Sequence, residues 1–512
     1  MSEIFLILMI AGLFVGILSG IPAMLAIAGI PMLVAVVAFF FDAFNLQLLA
    51  LFPNRVWGVM NNTLLMAVPL FVIMGVLLER AQLAEKMLDV LARMLGGSPR
   101  GMGLAVLAFS AMIAAATGII GATVVMLVLV ALKPMMDAGI PARRASGLIC
   151  ASGTLGQIIP PSILLVLLGD QIGNTYLEAQ QRAGNFAPMP VSVGDLFAGA
   201  LIPGLMLVAL YALYLAFALR PAKGAVAPPR AESVSWAEVI FTFLPPMLLI
   251  VSVLGSILAG VATATEAAGL GAVGAMLLAA WQGLRANVER WLVAGAGIAA
   301  FSLVALRMLG MGRAALDTPA GMLALAGALV IALGVLIAAI RLWGRGALQG
   351  ALGDTMKISG MVFGIVIAAS MLALVFRGFG GDRLVVRLMS DLPGGQWGAL
   401  ILIMVLVFIL GFILEAIEII YIVVPLLGPA ILGTDISPVW FAVLLAMNLQ
   451  TSFLTPPFGF ALFYFRSVAP RSITTIDIYR GVIPFVLLQL VALGILLAVP
   501  ELATWLPRVI FG

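Results

Sequence analysis

Fourteen apolar stretches separated by short polar joints fill most of the chain, at approximately 3–19, 23–41, 62–78, 103–132, 147–169, 196–219, 238–259, 265–281, 291–306, 320–340, 358–376, 397–432, 439–465 and 481–499. A spanning helix needs roughly 20 apolar residues, and backbone in hydrocarbon must satisfy its own hydrogen bonds, so this pattern predicts an all-α, polytopic bundle in a lipid bilayer. Of 512 residues, 64% are apolar and 9% charged. With a mean hydropathy of +1.24, that is a surface no water-soluble domain carries. The opening "MSEIFLILMIAGLF" has no basic leader and no small-residue cleavage site, and reads as a retained first helix.

The residues that are missing narrow the chemistry. The chain has no histidine and one cysteine, Cys150. Ser-His-Asp and Cys-His catalysis, most zinc sites and an internal disulfide are therefore excluded. A carboxylate pair such as Glu415 and Glu418 is the one arrangement left for a membrane-embedded enzyme, and the reading is of no enzyme and no cofactor. The net charge of +4 sits in the loops and gives no support for nucleic-acid binding. "GLGAVG" at 269–274 matches a dinucleotide pattern, but it lies inside an apolar segment with no strand before it and reads as close helix packing. Glu266, just before it, reads as an interfacial anchor or a contact for another subunit.

Two proline pairs organise the rest. Pro160 and Pro161 in "SGTLGQIIPPSIL" are answered by Pro456 and Pro457 in "NLQTSFLTPPFGF", 296 positions later, and Pro134 by Pro429, 295 positions later. An earlier glycine pair, Gly20 and Gly260, is only 240 apart, which implies about 55 extra residues in the second half. The expected organisation is a first repeat at 1–219, a linker at 220–235 and a second repeat at 236–512 with an insertion at about 285–354 carrying two extra membrane segments. Each repeat holds a hairpin, at about 103–135 and about 397–432, followed by a broken helix, at about 147–169 and about 439–465. Arg100, Lys133, Arg143 and Arg144 flank the first hairpin and place it on the cytoplasmic side; Asp435 beside the second, with no nearby Lys or Arg, places that one outside. The repeats are thus inverted. Arg377, Arg383 and Arg387 fall on the wrong side of this scheme.

A proline lacks an N–H and clashes with the carbonyl four residues back, so the pairs are expected to free the carbonyls of Gly156, Gln157, Ser452 and Phe453. Free carbonyls at membrane depth are costly unless something coordinates them. Ser152, Thr154, Gln157 and Ser162 surround the first break; Asn448, Gln450, Thr451, Ser452 and Thr455 surround the second. Oxygen-rich clusters without histidine or thiolate suit a hard cation such as sodium, and broken helices at matching places in inverted repeats point to a secondary transporter. The plainer alternative is a pair of proline kinks repaired by Ser and Thr. In the first hairpin Thr117, Gly118, Gly121 and Thr123 mark the turn, or else a small-residue packing face. In the second, Glu415 and Glu418 are intramembrane carboxylates, with Glu415 the stronger cation candidate.

"FSAMIAAATGIIGATVVM", "ALKPMMDAGIPARRASGLICASGTLGQIIPPSIL", "ATATEAAG", "LGFILEAIEIIYIVVPLLGP" and "NLQTSFLTPPFGFALFYF" together resemble the large membrane subunit of tripartite ATP-independent periplasmic (TRAP) transporters. The resemblance implies an elevator-type fold in the bacterial inner membrane, with a scaffold and a sliding transport domain. It implies sodium-coupled uptake of an organic acid from a periplasmic substrate-binding protein, with a small four-helix membrane subunit as partner. Carried onto this sequence, it implies a first sodium site at Thr117, Gly118, Thr123, Ser152, Gly153, Thr154 and Gly156, and a second at Glu415, Asn448, Gln450, Thr451 and Ser452. Gln157, Ser162 and Thr455 are then substrate-facing candidates. The chain departs from the common pattern in its Thr-Gly-Ile-Ile tip, where a serine-rich tip is usual, in Glu415, where Asp is usual, and in its two-span insertion. A stand-alone sodium or proton symporter of a related superfamily is the alternative.

Overall fold

The computed structural model describes residues 1–80, 83–219, 234–281, 284, 287–308, 318–390 and 392–512. The linker expected at 220–235 lies outside them except for its last two positions. All regular structure in the described residues is helical, and nine helices there are long and apolar enough to cross a membrane. Six shorter apolar helices accompany them. The count of spans falls below the fourteen apolar stretches partly because four of those stretches are interrupted.

Two of the interrupted stretches double back. Pro99–Thr117 ends at Gly118, whose φ of +62° is the left-handed conformation that suits a glycine C-cap, and Ile120–Leu127 starts the return limb. A β-carbon on Gly139 would touch the Pro99 ring, so the two ends of this limb pair meet at its base. In the second, Gln396–Leu410 turns through 411–415 into Ala416–Leu427, and Pro429–Leu432 closes back against the first limb. An amphipathic helix leads into each. In Leu83–Met94, Ala84, Met87, Leu88 and Ala92 are buried while Glu85, Lys86 and Asp89 face out; Gly381–Ser390 occupies the corresponding place before the second.

The centre of the molecule is a crossing of four helices. Val193–Ala218 and Thr475–Ala498 open alike, with reciprocal caps between Ser192 and Asp195 and between Thr474 and Asp477, followed by Gly199 and Gly481. A β-carbon on Gly481 would lie 2.0 Å from the Arg143 carbonyl oxygen, and one on Gly147 2.1 Å from the Gly481 carbonyl oxygen. Ala142–Thr154 therefore crosses Thr475–Ala498 backbone on backbone. Pro438–Leu454 in turn meets Val193–Ala218 where a β-carbon on Gly199 would sit 2.6 Å from Val439 Cγ1.

Asn287–Met308 and Pro319–Gly344 pack on each other and on Ala264–Trp281 at the edge of the bundle. Their outer faces, with Trp291, Leu323 and Leu329, are exposed. Arg377, one of the three arginines at odds with the loop-charge scheme, is neutralised in place: its guanidinium forks onto both Glu178 carboxylate oxygens at 2.7 Å.

Candidate functional site

Both proline pairs stop their helices. Ala142–Thr154 tightens into the 3₁₀ turn Leu155–Gln157, reaches the cis Pro160–Pro161 bond, and gives way to Ile163–Arg182 after an extended Ser162. Pro438–Leu454 ends at an extended Thr455, the cis Pro456–Pro457 bond follows, and Phe460–Val468 begins after Gly459. Four carbonyls were expected to be free here, and two are not. The Ser162 hydroxyl donates to the Gln157 carbonyl at 3.0 Å, and the Thr455 N–H donates to the Ser452 carbonyl at 3.0 Å. A local side chain or turn can supply the donor that proline lacks. The Gly156 and Phe453 carbonyls, each four residues before a proline, meet no donor among the described residues.

The first turn is seated on the first break. A β-carbon on Gly156 would lie 3.3 Å from the Ala114 carbonyl oxygen and 3.6 Å from Gly118 Cα, and one on Gly118 would lie 3.1 Å from the Ile163 nitrogen. Gly153 packs on Val124 in the return limb. Ser152 Oγ and Gln157 Oε1 are buried without a partner among the described residues. Thr123 donates to the Ile119 carbonyl and Thr154 to the Ala151 carbonyl, each at 2.8 Å. Thr117 closes the outgoing helix with its backbone; its side chain lies outside the described residues.

At the second break, Asn448 and Ser452 reach back to the limb Gln396–Leu410, donating to the Met404 carbonyl at 2.7 Å and the Phe408 carbonyl at 2.6 Å. Four residues apart, they share one helix face. Thr451 and Thr455 instead donate along their own chain, to Met447 and Thr451. Glu415 and Glu418 cap the Ala416–Leu427 helix reciprocally, the Glu415 N–H donating to the Glu418 carboxylate at 3.3 Å. That accounts for their three-residue spacing and satisfies donors that a helix start otherwise leaves open. Glu415 remains half-buried at the turn.

Tyr464 was not singled out from the sequence, although it stands in the quoted "FALFYF". A β-carbon on Gly121 would lie 2.8 Å from its ring, and the Glu415 carboxylate is within electrostatic range of its hydroxyl. It thus joins the first turn to the second.

Gln450 is not with Asn448 and Ser452. Two residues from Asn448, it faces the opposite way, into a fully buried cluster with Tyr211 and Gln489. Gln489 Nε2 donates to Thr154 Oγ1 at 3.4 Å, so Thr154 also belongs to this cluster. Both amide atoms of Gln450 lack a bond of good geometry. Replacing an unsatisfied buried amide by an apolar group of similar shape is nearly neutral or stabilising. Gln450→Met is therefore expected to keep or raise the thermal midpoint and to leave any sodium dependence of transport in place; a variant that folds but loses that dependence would return Gln450 to the cation site.

The chain matches the family described as tripartite ATP-independent periplasmic transporter, DctM component, over residues 10–301 and 281–502. It is 26% identical over 452 residues to the C4-dicarboxylate TRAP transporter large permease protein DctM of Rhodobacter capsulatus, covering 87% of each chain. It is 26% identical over 468 residues to the sialic acid TRAP transporter large permease protein SiaM of Vibrio cholerae, covering 90% of each. Among solved structures, the Alcanivorax borkumensis YdaH transporter superposes with a TM-score of 0.51 at 14% identity, over 90% of this chain and 88% of that one. This last likeness concerns fold alone.

Proposed function

Because the chain belongs to the DctM family of tripartite ATP-independent periplasmic transporters, multi-pass permeases of the bacterial membrane and not enzymes, we propose that it takes up an organic acid by sodium symport. The acid is handed over by a periplasmic binding protein, and a small four-helix membrane subunit completes the complex. The observation that carries this reading is that at each break a helix turn packs beside a segment with a donor-free carbonyl: Gly118 against Gly156, and Gly411 against Ser452, the residue before Phe453. Hard cations take such oxygens. Ser152 Oγ, buried without a partner, supports the first site, and Glu415 supplies a negative charge near the second. In this reading the acid sits between the turns, and Gln157, whose Oε1 is buried without a partner among the described residues, is its candidate contact.

The reading extends to architecture: residues 1–219 and 236–512 as inverted repeats, with 285–354 inserted, and the two hairpins and broken helices as one body sliding past a scaffold. The reciprocal crossing at Gly147 and Gly481 and at Val439 and Gly199 supports it, since each repeat's broken helix packs on the other's capped helix. Each inward-moving cation gains about 2.3 kcal/mol per 100 mV, and each tenfold gradient about 1.4 kcal/mol. Two sodium ions then drive accumulation of an anion without nucleotide hydrolysis. In proteoliposomes carrying the complex, a panel of labelled carboxylates including succinate should yield one that accumulates when both its binding protein and an inward sodium gradient are present. Accumulation that is as fast with potassium in place of sodium, or without the binding protein, would refute the proposal.

A further inference from the structure

Asp170, Asn174, Glu178 and Arg182 follow one another at four-residue intervals along Ile163–Arg182 and so form a single stripe. Side-chain bonds along the stripe, Asn174 to Asp170 at 3.3 Å and Arg182 to Glu178 at 2.8 Å, hold it together. Opposite it, other elements present a different order of charge. At Asp170 the partners are neutral: Asn62 donates at 2.8 Å and the Tyr421 hydroxyl at 3.4 Å. At Glu178 they are basic, with Arg377 forked onto the carboxylate and Arg55 within electrostatic range. At Arg182 the partner is Asp382, at 3.1 Å. Asp170 is thus a largely enclosed carboxylate with no ion pair among the described residues, two turns behind one that has a guanidinium.

We propose that this stripe is a two-register ionic ladder, in which Arg377 passes from Glu178 to Asp170 when the Ile163–Arg182 helix advances by the eight-residue spacing of the two carboxylates, a little over two turns, along its axis. The inference rests on the sliding-body reading above. Eight residues at 1.5 Å each set the step at about 12 Å. In the advanced register Asp170 pairs with Arg377, Asn174 offers its amide to Asp382, and Arg182 keeps its bond to Glu178 on the same helix. One turn forward, Arg377 faces only Asn174, so the two paired registers are separated by an unpaired one. Retreat offers nothing equivalent, because the helix ends at Arg182 and no carboxylate follows on the stripe. The structure described here is therefore one end of the travel.

The two carboxylates then bias the equilibrium in opposite directions, which a purely structural role would not do. Spin labels at Gln181→Cys, on the exposed end of the moving helix, and Met356→Cys, on the outer face of Ala347–Gly378, report the step; Cys150 is fully buried and stays unlabelled. In the complete complex in liposomes, with sodium and with potassium in its place, two distance populations are expected. Glu178→Gln should raise the advanced-to-retracted ratio, and Asp170→Asn lower it, each by up to about fivefold, as fits partly exposed ion pairs. Shifts of the same sign in both variants, or none in either, overturn the ladder. So does a single invariant distance in liposomes that still accumulate the carboxylate found by the uptake screen, and that result leaves sodium-coupled uptake standing.

Discussion

Gly481→Val should abolish accumulation of folded protein in the membrane, while Gly494→Val, on the same helix, should be tolerated. The difference lies in what each new side chain meets. At Gly481 the first added carbon would sit 2.0 Å from the Arg143 carbonyl oxygen and 3.1 Å from the Gly147 nitrogen, both backbone atoms that cannot rotate aside. At Gly494 nothing lies within 4 Å and the position is exposed. Overpacking a filled core costs typically 1–3 kcal/mol when side chains can give; here Ala142–Thr154 itself must move, so a loss of about 3 kcal/mol or more is expected. That helix carries the first break, and its displacement also unseats Gly118 from Gly156. Membrane yield and monodispersity of the two variants, measured side by side, test the crossing. Equal yields would mean that these backbones do not touch.

Asn448→Ala is expected to raise the sodium concentration for half-maximal uptake about tenfold, the consequence of losing a buried bond worth about 1–3 kcal/mol to the bound geometry. Asn448 is buried and ties the second broken helix to its hairpin limb through the Met404 carbonyl at 2.7 Å. Without it, of the two side-chain bonds to that limb only the one from Ser452 to the Phe408 carbonyl remains. Thr451→Ala should change little, because the Thr451 hydroxyl bonds the Met447 carbonyl of its own helix and reaches no other element. Sodium titrations of uptake, with thermal midpoints recorded for each variant, separate the two. A shift in Thr451→Ala as large as in Asn448→Ala would place the ion on the other face.

Much of the fold was legible because proline and glycine act through the backbone. The pairs at Pro160–Pro161 and Pro456–Pro457 end their helices, whereas Pro245 and Pro246 lie inside the continuous helix Trp236–Leu258, and Gly118 caps its helix in the left-handed conformation. Side-chain roles were less legible. Helix periodicity separates Asn448 from Gln450, two residues apart and so on opposite faces, whereas the family resemblance groups them in one ion site. Glu415 and Glu418 are also a helix start written in carboxylates. A proline leaves the carbonyl four residues back free only where no local donor answers it, and the Ser162 hydroxyl and the Thr455 N–H answer two of the four here. The stripe from Asp170 to Arg182 could be read as one face, but its partners Asn62, Arg377 and Tyr421 come from distant segments, and only the folded chain sets them in order.

The breaks also have an electrostatic consequence. Ile120–Leu127, Ile163–Arg182, Ala416–Leu427 and Phe460–Val468 all begin at the turns and breaks. Each helix start carries roughly half a positive charge, so four such ends lie at the two turns and two breaks. One of them, Ala416, is already compensated by Glu415 and Glu418. The other three give the proposed carboxylate a positive environment built from backbone alone, and no buried lysine or arginine is then required to hold it.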